Sequence, residues 1–221
     1  MVVDTLIFDF DGVIIDTESV EYATWQEVYN EFNVSMDISQ WEGIIGGGVK
    51  WFDPLENLER LIGPLDDKIT VLESRRRKAL QIIDNTPLLP GVESYIHDAK
   101  EMGLKMGLAS SSTSEWVERH LADRGLLRYF DAMATRDEVS MVKPDPELYL
   151  KVIAKLDTDP IHALAIEDSV NGLAAAKSAG LWCAVVPNPM TSDMDFRKAD
   201  LKLESLEILS LKQLIASIAQ H

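Results

Sequence analysis

Thr5-Leu6-Ile7-Phe8-Asp9-Phe10-Asp11-Gly12-Val13 decides how the rest of this chain is read. A run of apolar, largely β-favouring residues stops at two carboxylates two positions apart, with glycine straight after. A buried parallel strand that delivers polar groups to its carboxyl end has this pattern. A strand running into an Asx-type turn before Gly12 accounts for one acid comfortably and for two less well. An ionised carboxylate taken out of water without a partner is costly. The Asp-x-Asp pair therefore points to a cation, a hydrogen-bonded network, or both.

The 221 residues suit one large domain or a core carrying a smaller inserted one, and 46% hydrophobic content is ample for a buried interior. A formal net charge of -16 argues against nucleic-acid binding and against adhesion to an anionic membrane. An anionic substrate must then find a local positive site. Cys183, alone of its type, cannot form an internal disulfide and lies in the apolar run Trp182 to Val186. A buried structural thiol in a reducing compartment is the expectation. Asp4, Asp9 and Asp11 interrupt the amino-terminal apolar residues, and no apolar run reaches membrane-spanning length. A cytoplasmic location is expected.

Residues 16–85 read as a helical insertion. Glu18 to Phe32, Leu55 to Leu61 and Ile69 to Ile83 carry helical patterns, broken by Gly46-Gly47-Gly48 and Gly63-Pro64. Trp25, Trp41 and Trp51 supply material for a small separate core. After Thr86 helices alternate with short apolar strands. Strands are expected at Lys105–Ser110, Phe130–Thr135, Ala163–Glu167, Cys183–Val186 and Leu201–Leu203. Helices are expected near Glu93–Glu101, Glu115–Arg124, Pro146–Leu156, Val170–Ala179 and Leu209–His221. Such alternation means crossover units and an α/β parallel sheet whose ligands bind off the carboxyl ends of the strands.

Those ends carry polar groups. The first strand finishes in Asp9 and Asp11, the second in Ser110-Ser111-Ser112-Thr113, and the fourth in Glu167-Asp168-Ser169, with Lys143-Pro144 between the last two. Each has a plainer reading: hydroxyls and acids cap helices, and a loop lysine is mostly solvated. Brought to one sheet edge, they form a coherent device for moving a phosphoryl group. That reaction needs an in-line nucleophile and neutralisation of the phosphoryl oxygens. A carboxylate can be the nucleophile, and Asp9 approaching a dianionic phosphate requires an oxygen-loving cation such as Mg²⁺, with Asp168 as second carboxylate.

Asp9-Phe10-Asp11-Gly12-Val13, the Ala109-Ser110 strand end, Lys143-Pro144 and Glu167-Asp168 resemble, in order and separation, the four motifs of the haloacid dehalogenase superfamily. Asp16-Thr17-Glu18 is similar to the branch containing β-phosphoglucomutase and small sugar-phosphate and polyol-phosphate phosphatases. The resemblance implies a Rossmann-like core, residues 1–15 and 86–221, with a helical cap at residues 16–85 closing over the substrate. It also implies roles. Asp9 would be nucleophile and Mg²⁺ ligand; Asp11 would be general acid and then base, its backbone carbonyl also ligating the metal. Ser110 would bind phosphoryl oxygens with the N–H groups that follow it, Ser111 included. Lys143 would pair with charge shared between nucleophile and phosphate. Asp168 would complete the metal site, with Glu167 a direct or water-mediated ligand.

Mutase-like members carry a His a few residues beyond the Asp-Thr pair and an Arg after a Gly-Val-Ser turn. Here Glu21 takes the place of the His and the turn reads Gly46 to Trp51. Both departures weaken the mutase reading. Glu18, Glu21 and Lys50 are taken as substrate-binding, while Arg75, Arg76 or Arg77 could reach in and Trp51 or Phe52 either lines the substrate side or packs in the cap. The expectation is a Mg²⁺-dependent phosphatase acting on a small phosphorylated metabolite, as a monomer. A β-phosphoglucomutase-like mutase is the alternative, with a dehalogenase or a non-catalytic binder more distant.

Overall fold

The computed structural model describes residues 3–47 and 52–218. Its frame is a sheet of strands β1 (Thr5–Phe8), β2 (Lys105–Ala109), β3 (Ala132–Ala134), β4 (Ala163–Glu167), β5 (Trp182–Val185) and β6 (Leu201–Lys202). The strands lie in the order β3-β2-β1-β4-β5-β6, and each neighbouring pair is parallel. β1 is central because its four residues are buried on both faces, as an unbroken apolar run requires.

The two-residue period of β1 sorts its side chains between two cores. Leu6 and Phe8 enter a cluster completed by helices α5 (Val92–Glu101), α6 (Ser114–Asp123) and α9 (Leu211–Ile218). Ile7 enters the opposite cluster, with α7 (Glu147–Leu156) and α8 (Val170–Ser178). Burying a side chain such as Phe8 contributes about 1.5–3 kcal/mol, so this layering supplies most of the drive for the core. The register sets Phe8 beside Leu108 on one side and Ile166 on the other. The residues that follow, Asp9, Ala109-Ser110 and Glu167, therefore emerge at one edge.

Between β1 and α5 the chain forms α1 (Thr17–Glu31), α2 (Ile38–Glu42), α3 (Pro54–Ile62) and α4 (Lys68–Asn85). Their starts follow from aspartates: Asp16, Asp37, Asp53 and Asp67 each accept a backbone N–H of the first turn. These helices collect a third apolar cluster around Trp25, Tyr29, Trp41, Phe52 and Leu58. Phe52 thus takes the packing option, while Gly48, Lys50 and Trp51 lie outside the described residues. The outgoing and returning segments pair at Ile15 and Leu88, and the Leu89 N–H donates to the Ile14 carbonyl at 2.9 Å. Arg124, just after α6, donates to the carbonyls of Ile83 and Thr86 at 2.8 and 3.0 Å, serving the end of α4, which has no basic residue in its last turn.

Several boundaries shift for visible reasons. β3 starts two residues after Phe130 because Asp131 folds back to accept the Met106 N–H at 2.8 Å through its side chain. Thr113 caps α6, which starts at Ser114, one residue ahead of the expected Glu115. α2, at five residues, is too short to show a period and was not anticipated. The Ser210 hydroxyl accepts the Gln213 N–H and starts α9 later than Leu209. Among the described residues no helix is long and apolar enough to cross a membrane. Cys183 is buried and free, as expected.

Gly107 marks where α7 presses against the sheet. A Cβ there would stand 2.4 Å from Val152 Cγ1 and 3.2 Å from Leu156 Cδ1. Val152 is stiff at χ1 and cannot turn aside freely. Gly107→Ala is expected to lower the unfolding free energy by about 1–3 kcal/mol in urea titrations. An unchanged midpoint would show that the sheet–helix contact is loose.

Candidate active site

Lys143 occupies the centre of the strand-end edge. Its Nζ lies 2.7 Å from Asp9 Oδ1 and 2.7 Å from Glu167 Oε1, and all three side chains are buried. Register alone puts the two carboxylates side by side, and the loop ahead of α7, through a cis Lys143–Pro144 bond, brings the ammonium between them. The Tyr149 hydroxyl donates to Glu167 Oε1 at 2.5 Å, and its ring lies 5.3 Å from the ammonium. Gly172, in the first turn of α8, leaves the room Glu167 needs, since a Cβ there would fall 1.9 Å from Oε2.

Asp168 joins this group. Ligand oxygens of Asp9, Glu167 and Asp168 all lie within 4.8 Å of one another, and Asp168 Oδ1 is buried with no hydrogen-bond partner among the described residues. Burial pushes Asp9 up to about 8, with Glu167 and Asp11 adding to the rise and Lys143 opposing it. Burial also raises Asp168 well above the carboxylate range, reinforced by Asp9 and Glu167. For Lys143, burial works against the charge, but Asp9 and Glu167 outweigh it and hold its pKa above the ordinary lysine value. One ammonium cannot neutralise three ionised carboxylates, so charging all of them together needs a further cation. All-oxygen donors, an orphaned acceptor and excess negative charge fit a hard divalent cation.

Asp11 stands apart from that cluster, half-buried at the cleft. Its Oδ1 accepts from the Thr17 hydroxyl at 2.8 Å and from Trp116 Nε1 at 3.0 Å; its Oδ2 accepts from the Ser112 hydroxyl at 2.6 Å. Ser112 was named only within the hydroxyl cluster that ends the second strand, and Trp116 not at all, since a tryptophan in the first turn of a helix carries no signal of its own. Ser110 is fully buried, and its Oγ accepts the Ser112 N–H at 3.0 Å, which leaves the hydroxyl proton available to a ligand. The Ser111 hydroxyl instead donates to the Gly46 carbonyl at 3.2 Å, tying the strand end to the loop after α2.

Above this edge a cleft of about 330 Å³ is lined by Asp9, Asp11, Glu18, Glu21, Arg75, Arg76, Ser111, Trp116 and Arg136. Glu18 is raised to about 8 by burial first and then by the charges of Asp11, Glu21, Asp9 and Asp16. Glu21 forms an ion pair with Arg75 at 2.5 Å, and Arg75 also lies over the Trp25 ring at 4.8 Å. Of the arginine run, Arg75 and Arg76 reach the cleft and Arg77 is exposed. Lys50 lies outside the described residues.

Residues 6–186 match the family model described as haloacid dehalogenase-like hydrolase. YhcW of Bacillus subtilis, which bears a provisional phosphatase name, is 42% identical over 213 residues, covering 96% of each chain. Hexitol phosphatase B of Escherichia coli is 36% identical over 215 residues, covering 95% of each. Among solved structures, β-phosphoglucomutase from Clostridium difficile gives a TM-score of 0.74 at 26% identity, covering 100% of this chain and 98% of the other.

Removing the ammonium leaves buried carboxylates unpaired. Lys143→Met is expected to cost about 3–5 kcal/mol of unfolding free energy in EDTA, and Glu167→Gln in the same chain should return part of it. A loss below about 1 kcal/mol, the range of exposed pairs, would mean the pair is solvated. Glu18 gives a pH signature. With its pKa raised from the ordinary 4.5 to about 8, the folded metal-free protein keeps a proton that the unfolded chain releases. Its contribution is complete below about pH 4.5 and is lost as pH rises through about 8. Glu18→Gln should therefore gain in Tm relative to the parent across that interval, and parallel Tm curves would remove the shift from the account.

Proposed function

The chain belongs to the haloacid dehalogenase-like hydrolases, and from that footing we propose that it is a Mg²⁺-dependent phosphatase of small sugar or polyol phosphates. The reading rests on one observation above the others: Asp9, held against the buried Lys143 ammonium, lines an open cleft together with Asp11. In this reading residues 16–85 act as the cap, and residues 1–15 and 86–221 carry the chemistry.

Asp9 attacks phosphorus, forming an aspartyl phosphate as the bond to the substrate oxygen breaks. The electron pair goes to that oxygen, and Asp11 delivers a proton to it. Asp11 then takes a proton from water; the water oxygen bonds to phosphorus, the bond to Asp9 breaks, and inorganic phosphate leaves. Lys143 orients Asp9 and favours its ionised form against the burial that opposes it. The Ser110 hydroxyl and nearby backbone N–H groups hold phosphoryl oxygens. Mg²⁺ held by Asp9, Asp168 and the Asp11 carbonyl would supply neutralisation of charge between nucleophile and phosphate. Glu167 already serves Lys143 and Tyr149, which favours Asp168, whose Oδ1 has no partner among the described residues, as the direct ligand. Thr17, Ser112 and Trp116 keep Asp11 at the cleft wall, where a leaving oxygen can meet it.

Hydrolysis is favoured over isomerisation by the contact between α1 and α4. A mutase must grip a second phosphate from the cap side, whereas Arg75 directs its charge to Glu21 and its face to Trp25. The second reading, a phosphosugar mutase, draws on Arg76 and Arg136, which also line the cleft.

Phosphate release across sugar, polyol and nucleoside monophosphates, run beside a coupled assay for β-glucose 1-phosphate isomerisation, tests both readings. Release that stops in EDTA, returns with Mg²⁺ and dominates over isomerisation is expected. Asp9→Asn should lose about 10³-fold or more with the fold intact. Asp11→Asn should lose more on a hexitol phosphate than on p-nitrophenyl phosphate, whose leaving group needs no proton. Asp9→Asn within about tenfold of the parent, or equal losses in Asp11→Asn, would contradict the assignment.

A further inference from the structure

Asn188 belongs to none of the motifs read from the sequence. It lies in the Pro187-Asn188-Pro189 loop beyond β5 and is 6% exposed. The loop fixes it from its own side. The Asn188 N–H donates to Thr191 Oγ1 at 3.0 Å, and the Thr191 N–H donates to the Asn188 carbonyl at 3.0 Å. The Met190 N–H donates to Asn188 Oδ1 at 2.8 Å. An amide whose oxygen is already committed to a donor can be oriented in one way only. Its Nδ2 therefore faces Asp168 Oδ2 at 2.7 Å and the Gly12 carbonyl at 3.5 Å.

The other wall is equally tight. Gly12 has φ +80, and a Cβ there would stand 2.2 Å from Asp168 Oδ2 and 2.7 Å from Asn188 Nδ2. Asp168 is thus held with one oxygen occupied by the amide. The remaining oxygen, Oδ1, is buried beside Asp9 and Glu167 without a partner among the described residues. A buried acceptor with nothing to accept from is expensive unless a ligand completes it.

We propose that Asn188 is a positioning residue: its amide locks the Asp168 carboxylate so that Oδ1 faces the divalent cation. The proposal rests on the reading of Asp9, Glu167 and Asp168 as a cation site. Groups that orient a ligating carboxylate typically govern affinity without touching the ion. Asn188 serves the loop through its backbone and Oδ1 and the metal site through Nδ2; stability in EDTA reads the first contribution and ion affinity the second.

The test is the Mn²⁺ dissociation constant of the substrate-free protein, read from free Mn²⁺ by electron paramagnetic resonance, with Mg²⁺ as competitor. Asn188→Ala and Asn188→Leu, the second preserving volume, are compared with the parent. Both should bind one ion with a dissociation constant about 10- to 100-fold weaker, and recover most of the parent turnover at saturating Mg²⁺. A constant within about twofold of the parent overturns the proposal while leaving the cation site standing. So does a variant that melts in EDTA under conditions where the parent stays folded, because Asn188 would then be holding the loop. A parent that binds neither ion removes the cation site itself.

Discussion

The ammonium of Lys143, shut away from water between Asp9 and Glu167, is the constraint around which this molecule is arranged. A buried charge persists only with partners of good geometry, and every neighbouring element supplies part of that geometry. β1 and β4 run side by side in register, so their final residues present carboxylates at one level. The loop ahead of α7 delivers the lysine, and α7 itself delivers Tyr149 to Glu167. The first turn of α8 places Gly172 close behind, which leaves Glu167 its space.

The same cluster explains how an acidic chain can bind an anion. With a net charge of -16, the protein repels phosphates at long range. Attraction has to be local, and the core edge offers the Lys143 ammonium, the Ser110 hydroxyl proton and, in the proposed reaction, a divalent ion. Many of the acids have other work: Asp16, Asp37, Asp53 and Asp67 cap helices, and Asp84 pairs with Arg119. The cleft contrasts two carboxylates of one motif. Asp9 is buried against an ammonium, whereas Asp11 is partly exposed and held by the neutral donors of Thr17, Ser112 and Trp116. Such a difference in surroundings suits one for attack and the other for proton transfer.

Much of this was legible in the chain because the core follows short-range rules. The apolar run before Asp9 announced a central strand, and the alternation after Thr86 announced the parallel sheet. The strand ends drew attention to Asp9, Ser110, Glu167 and Asp168, which the register does bring to one edge. Three kinds of feature were not legible. α2 is too short to display a period. Trp116 and Asn188, and the bond from Ser112 to Asp11, depend on tertiary contacts with residues far away in sequence, which no local pattern encodes. The pairing of Glu21 with Arg75 spans two helices, and from the sequence each was read as a separate candidate for the substrate.

The central claim is that Asp9 carries the phosphoryl group between substrate and water. It is tested most directly by trapping the acyl phosphate in Asp11→Asn, where water activation is impaired. Protein quenched while turning over p-nitrophenyl phosphate with Mg²⁺ is reduced with borohydride, and its peptides are read by mass spectrometry. The account predicts homoserine at position 9, dependent on substrate and Mg²⁺. Stoichiometric release of p-nitrophenolate with Asp9 unaltered, or reduction at another acid, would contradict it.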